Sequence, residues 1–386
     1  MTTIFNVPST IITGGGASSE AGIQARKFKA GRALLVTDTF MVESGLADRI
    51  AGSVRKEGIE ITSFDGVQPD PTDTNVIEGL EIFERKNCDL IIGLGGGSPM
   101  DCAKVISVMT ANPMPISQYA GLHNVPEKGV PVMLIPTTAG TGAEVTKVAV
   151  IGDTERDVKM MMLDANILAD CALVDYELTM SCPPDLTANV GLDTLVHAVE
   201  GYVSVKANPM TDPIALYAVR LISENLLTAF NEPANARARE GMMTASLQAG
   251  MAFANSSVCL VHGMSRPIGA LYHVPHGLSN AVLFPAVTEF SISGNPSRYA
   301  DIARVMGLAA DQDPDEAAGE ALVEGLKKLN EDLKVPRLGD AVNVDLGTFD
   351  QKVEKMASDG LASGSPDNNP VIPTADEIVQ LYHQAW

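Results

Sequence analysis

Thiol chemistry is nearly missing from this sequence. Its five cysteines (Cys88, Cys102, Cys171, Cys182, Cys259) are an odd, scattered set with no C-x-x-C spacing. That excludes a disulfide framework or a thiolate metal site and suggests small buried residues in a reducing compartment. Basic charge is also scarce, with 27 Lys+Arg against 48 Asp+Glu and a formal charge of −21. A nucleic-acid binder needs a basic footprint to displace counterions, and an anionic membrane attracts one, so neither partner is expected. No uncharged apolar stretch reaches the roughly 20 residues that cross a bilayer. The opening MTTIFNVPST lacks the basic and apolar regions of a signal peptide. These absences together give the expectation of a cytoplasmic protein.

What is present is an ordinary globular composition, 45% apolar and 19% charged, over 386 residues. At roughly 150 residues per domain this length implies two or three domains. Disorder is excluded because enough apolar surface exists to form cores. In the first half, apolar runs at Ala33–Val36, Leu90–Leu94, Val132–Ile135 and Cys171–Val174 are bounded by turn residues, as buried strands are. Helical periodicity over Val42–Lys56 and Thr74–Lys86 lies between them. Alternating strands and helices predict a parallel sheet covered on both faces. Val145–Ile151 and Val158–Leu163, around G-D-T-E-R-D, predict an inserted hairpin. From Cys182-Pro183-Pro184 onward the spacing is helical, interrupted at Pro209, Pro233, Pro296 and Pro314. We therefore expect an α/β domain over residues 1–181, an all-helical domain over 182–386, and a cleft between them.

Three groups of residues could carry chemistry. Gly95-Gly96-Gly97-Ser98 follows the strand Leu90–Leu94 and precedes a helical stretch. Consecutive glycines let backbone N–H groups approach an anion at a helix N-terminus, and Ser98 can cap the helix or donate to phosphate. The spacing is not G-x-G-x-x-G, because Ser98 stands at the third glycine. A tight turn with no ligand is the competing reading. Asp38 closes the strand Ala33–Val36 and suits a ribose 2′-hydroxyl, or else caps the next helix. Thr137-Thr138-Ala139-Gly140-Thr141-Gly142 brings hydroxyls to the same sheet edge.

The third group is sharper. Of six histidines, His197 lies four residues after Asp193, so both project from one helix face about 6 Å apart. His262 and His276 each precede a glycine in apolar sequence. One carboxylate and three imidazoles suit Fe²⁺ or Zn²⁺. A lone buried histidine is usually only a core residue; four such groups together argue otherwise.

The segments V-T-D (36–38), F-D-G-V-Q-P-D-P-T (64–72), G-G-G-S-P-M-D-C-A-K (95–104), P-T-T-A-G-T-G-A-E (136–144), G-L-D-T-L-V-H-A-V-E (191–200) and H-G-M-S-R-P-I-G-A-L-Y-H-V-P-H-G (262–277) resemble the iron-containing (group III) alcohol dehydrogenase family along essentially the whole chain. The resemblance implies a dinucleotide-binding α/β domain, a metal-binding helical domain, and self-association as a homodimer or larger. It implies metal ligation by Asp193, His197, His262 and His276. It also implies NAD contacts by Asp38, Asp70, Gly96, Gly97, Ser98, Thr137, Thr138, Thr146 and Lys159.

Two departures matter. Many relatives have Asn at the position of Asp70, and two acids near a ribose disfavour a 2′-phosphate. Relatives also carry a proton-relaying His where this chain has Arg266, and arginine stays protonated. Either His273 or water takes over that relay, or Arg266 binds a substrate anion, or it closes the cleft by an ion pair. The expected activity is NAD-linked interconversion of a small primary alcohol, diol or hydroxyaldehyde, or a short anionic semialdehyde. The alternative is a metal-dependent lyase or hydrolase of the dehydroquinate-synthase-like fold.

Overall fold

A computed structural model of the chain describes residues 2–156 and 158–386; Met1 and Asp157, the latter in the expected G-D-T-E-R-D turn, lie outside the described residues. The chain forms two units, Asn6–Met180 and Ser181–Trp386, the second including the N-terminal residues up to Phe5.

In the first unit the described strands are β1 (Thr10–Thr13), β2 (Arg32–Val36), β3 (Glu60–Phe64), β4 (Leu90–Gly95), β5 (Gly121–Leu122), β6 (Val132–Pro136), β7 (Val148–Asp153), β8 (Val158–Leu163) and β9 (Cys171–Val174). Six form one parallel sheet in the order β1-β9-β6-β4-β2-β3. The period-two alternation of strand side chains divides them between two cores. Leu34, Val36, Ile91 and Leu134 join one core; Ala33, Leu35, Ile92 and Ile135 join the other. Helices α1 (Ala21–Lys27), α2 (Thr39–Glu43) and α3 (Leu46–Lys56) contribute to the second core. Helices α4 (Asp73–Arg85) and α5 (Gly97–Ala111) contribute to the first. The parallel sheet with helices on both faces is the one the alternation implies.

From β2 the chain moves to β3 on one side, then crosses to β4 on the other. The adjacent β2 and β4 therefore form a topological switch point, whose carboxyl ends leave a crevice in open α/β sheets. Asp38 and the glycine turn lie there.

Some local expectations change. The helix expected over Val42–Lys56 breaks at Gly45, whose φ of 76° ends α2 and starts α3 separately. The hairpin is antiparallel but begins at Val148, because residues 143–145 make a 3-10 turn. Strands β1 and β3 carry no apolar run long enough to stand out. Ser98 lies inside the first turn of α5, where Gly96 is the cap residue, so it does not act as the N-cap.

The second unit is helical. Its first members are α6 (Pro184–Val203), α7 (Asp212–Asn231), α8 (Ala236–Ala254), α9 (Leu260–Tyr272) and α10 (His276–Ser291). Every residue of α6 from Gly191 to Val203 is buried, so this helix is enclosed by its neighbours rather than amphipathic. Gly277 explains one close approach: a Cβ there would lie 2.3 Å from the Asn189 carbonyl oxygen. The missing side chain lets the start of α10 press on α6 beside Asp193. No described helix is long and apolar enough to cross a membrane.

Candidate functional site

Helix α6 supplies Asp193 and His197 one turn apart, with Asp193 Oδ2 3.8 Å from His197 Nδ1. Both are buried, seated among Leu192, Leu195, Val196 and Val199. Helix α9 brings His262 from its first turn, and α10 begins with His276 after the cap residue Pro275. Asp193 Oδ1 stands 3.8 Å from His262 Nε2 and 3.7 Å from His276 Nε2. Among the described residues, Asp193, His262 and His276 place ligand atoms within 4.8 Å of one another. His197 joins through its Nε2, 3.0 Å from His262 Nε2, and its ring stacks on Phe253 at 4.3 Å.

The chemistry of this donor set fits a cation. Asn280, one turn along α10 from His276, points its amide nitrogen at three of these atoms. The separations are 2.7 Å to Asp193 Oδ1 and 3.3 Å to each of His262 Nε2 and His276 Nε2. Its own Oδ1 is buried without a hydrogen-bond partner. Two amide hydrogens cannot satisfy three converging acceptors, whereas one divalent ion can.

Burial keeps His262 and His276 neutral, as metal ligation requires. Burial holds the His262 pKa well below its ordinary value, with the neighbouring His197 adding to the effect. The His276 ring is 47% exposed, yet its Nε2 end is inside the cluster, and desolvation there lowers its pKa to about 4. Beneath His262 lies Glu200, whose pKa burial raises to about 7 against the opposing pull of two backbone N–H groups.

Arg266 follows His262 by one helical turn and donates from Nη1 to Ser365 Oγ at 3.0 Å. Its charge is felt by both His262 and His276. His273 ends α9 in a left-handed conformation, φ 55°, with an exposed ring that does not join the ligand cluster.

In the α/β unit, Asp38 does two things at once. Its Oδ1 accepts from the Met41 N–H at 2.9 Å, capping α2. Its Oδ2 faces the glycine turn, where a Cβ on Gly95 would lie only 3.3 Å away. Gly95 has φ 144°, which only glycine adopts readily, and a Cβ there would also press within 2.7 Å of Pro99 Cγ. Gly96 and Gly97 then open α5 opposite Thr138 and Thr141. The Thr137 N–H donates to the Gly95 carbonyl at 3.0 Å, which fixes one strand end to the next. A strand–glycine–helix turn at the switch point, flanked by an acid, suits a dinucleotide.

Asp70 sits at φ 56° and accepts from Lys159 Nζ at 2.7 Å, so the structure pairs two expected cofactor residues with each other. Thr146 is buried and accepts from Lys104 Nζ at 3.2 Å.

Family models for "Iron-containing alcohol dehydrogenase" and "Fe-containing alcohol dehydrogenase family, C-terminal" match residues 8–176 and 187–386. The chain belongs to the iron-containing alcohol dehydrogenase family. As a member it is an oxidoreductase of the alcohol dehydrogenase type. It is similar to the NAD-dependent methanol dehydrogenase of Bacillus methanolicus, 37% identical over all of both chains. It is 38% identical to the 1,3-propanediol dehydrogenase of Citrobacter freundii, covering 99% of this chain and 98% of that one. A crystal structure of 1,3-propanediol oxidoreductase superposes with a TM-score of 0.97 at 37% identity, over the whole of both chains.

Sequence reasoning missed two parts of this alcohol dehydrogenase. Asn280 lies four residues after His276, so helical spacing could have flagged it, whereas Glu200 is brought in by the packing of α9 on α6. The buried set Asp101, Lys104 and Glu144 was also missed. Lys104 Nζ lies 3.3 Å from Asp101 Oδ1 and donates to the Val148 carbonyl at 2.8 Å. Asp101 Oδ2 accepts from the Val150 N–H at 3.0 Å, so together they tie α5 to the hairpin that carries Lys159.

Proposed function

We propose that the chain is a metal-dependent, NAD-linked alcohol dehydrogenase that also runs as an aldehyde reductase. Its substrate is a small primary alcohol, diol or hydroxyaldehyde, with a short anionic semialdehyde included. The observation that carries this reading is the convergence of Asp193, His262 and His276, with His197 against them, on one point. Residues 182–386 then form the metal-binding catalytic domain and residues 1–181 the dinucleotide-binding domain.

Asp193, His197, His262 and His276 hold the divalent ion, Fe²⁺ first and Zn²⁺ second. When bound, the ion supplies Lewis acidity toward a substrate oxygen and the nicotinamide takes up or gives the hydride. The chain's own residues orient and exclude. Asp38 accepts from the adenosine ribose, and its charge repels a 2′-phosphate, which favours NAD over NADP, while Asp70 is neutralised by Lys159. Gly96, Gly97 and Ser98 present the helix end to the pyrophosphate, with Thr137, Thr138 and Thr146 lining the cofactor channel. Lys159, which Asp70 holds, approaches the nicotinamide ribose in this reading. Alcohol plus NAD⁺ yields aldehyde, NADH and one proton. That proton leaves through His273 or water, because the guanidinium of Arg266 stays charged and serves a substrate anion instead.

A hydrolase has no use for Asp38 beside a glycine turn, and NADH consumption separates a dehydrogenase from a lyase. We place the enzyme in the cytoplasm as a homodimer or larger homo-oligomer, with no nucleic-acid or membrane partner. The test follows NADH consumption with a panel of short aldehydes, using the parent and Asp193→Asn. Turnover should fall at least about 100-fold in the variant. Undiminished turnover in a folded Asp193→Asn protein contradicts the proposal.

A further inference from the structure

Glu200 is a fully enclosed carboxylate, 3% exposed, that contributes no atom to the ligand cluster. It lies on α6 two turns beyond Asp193 and points at the start of α9. Oε1 accepts from the Val261 N–H at 2.7 Å, and Oε2 from the Cys259 N–H at 2.8 Å. Oε2 also stands 2.6 Å from His262 Nδ1. The first N–H groups of a helix have no partners within it, so this carboxylate satisfies two of them for α9 from another helix. The third partner is a ring nitrogen whose role depends on where its proton sits.

We propose that Glu200 is a positioning residue that fixes the tautomer of His262, holding the proton on Nδ1 so that Nε2 presents its lone pair to the ligand cluster. In its ionised form Glu200 has no proton to give, and both its oxygens already receive backbone donors, so it accepts from Nδ1 as well. The opposite ring nitrogen must then be bare. That nitrogen is the one 3.0 Å from His197 Nε2 and 3.8 Å from Asp193 Oδ1. Carboxylates behind metal-binding imidazoles orient the ring and raise its basicity in this way. The same group also fixes the backbone from which His262 projects, so ring and main chain are registered to α6 by one side chain. The consequence for metal affinity rests on the metal reading proposed above; the tautomer itself does not.

Two measurements test it. In the full chain stripped of metal by chelation and labelled with ¹⁵N-histidine, the His262 resonances are assigned by comparison with His262→Asn. The expected spectrum shows a protonated Nδ1 and a bare Nε2 above about pH 8, where Glu200 is ionised. A proton on Nε2 overturns the proposal, whatever the variants do. The second measurement is Zn²⁺ or Co²⁺ affinity by competition with a chromophoric chelator, for the parent and for Glu200→Gln. The carboxamide offers one acceptor oxygen in place of two, so affinity should fall 10–100-fold. Parent-like affinity in a folded Glu200→Gln protein overturns the proposal. If that variant fails to fold, the spectrum of the parent decides alone. A parent that shows the expected tautomer but binds neither metal refutes the metal reading and leaves the tautomer lock standing.

Discussion

The Nε2 atoms of His197 and His262 face each other at 3.0 Å, one from α6 and one from α9. With His262 protonated on Nδ1, its Nε2 lone pair meets a second imidazole nitrogen across a buried gap. A shared cation would take both nitrogens as ligands and give Asp193 and His276 the same partner. The packing that brings these helices together is therefore part of the ligand geometry, and it can be disturbed away from the ligands themselves.

Gly277→Ala is the direct test of that packing. The added methyl would lie 2.3 Å from the Asn189 carbonyl oxygen, a backbone atom that cannot swing aside. Overpacking of this kind costs about 1–3 kcal/mol. Both a lowered melting temperature and a weaker metal affinity are expected, because α10 must back away from α6 and take His276 with it. Metal titration beside thermal unfolding checks this; unchanged affinity would mean that His276 does not depend on the close approach.

Coenzyme choice should respond to Asp38. Asp38→Ser keeps an oxygen to accept from the Met41 N–H, so α2 retains its cap. The negative charge beside the glycine turn is lost. The ratio of kcat/KM for NADPH over NADH should rise by about tenfold, since repulsion of a 2′-phosphate is relieved. A ratio that stays constant would place the ribose away from Asp38.

Arg266 should discriminate between substrates by charge. Arg266→His replaces a permanent cation with a largely neutral ring at neutral pH. KM for short anionic aldehydes should rise about tenfold or more, the range of one charge-assisted hydrogen bond, while neutral aldehydes change little. Equal effects on both classes would assign the guanidinium to Ser365 and the local fold instead.

Glu144 gives the α/β unit a pH dependence. Burial raises its carboxyl pKa to about 7 from an ordinary 4.5, with Lys104 opposing the shift. A raised folded pKa means the unfolded chain releases the proton first as pH increases. The contribution to stability is then complete below about pH 4.5 and is lost as pH rises through 7. Glu144→Gln should flatten the fall in melting temperature over that window and leave the variant the more stable protein at alkaline pH. The gain is at most about 3 kcal/mol. Parallel profiles for parent and variant would contradict this. Lys104 keeps Asp101 as its partner in either case.

The parts of this fold that were legible in the sequence are those written locally. Buried parallel strands such as Leu90–Gly95 show as apolar runs, and the turn after β4 shows as glycines between a run and a helix. Asp193 and His197 share a face because four residues make about one helical turn. Strand β3, E-I-T-S-F, was hidden because an edge strand alternates with polar residues. The break at Gly45 was hidden because the apolar period continues across it. Pairings such as Asp70 with Lys159, 89 residues apart, are products of topology and leave no spacing to read. Glu200 was hidden for a different reason. A glutamate in a helix usually faces water, and only the packing of α9 on α6 turns this one inward.

The most direct test of the central claim is anomalous diffraction from crystals of the metal-loaded protein, collected on either side of the iron or zinc absorption edge. A single peak is expected, about 2.0–2.2 Å from an Asp193 oxygen and from one ring nitrogen each of His197, His262 and His276. A loaded crystal with no density at that point, or with its metal held by other side chains, would contradict the account.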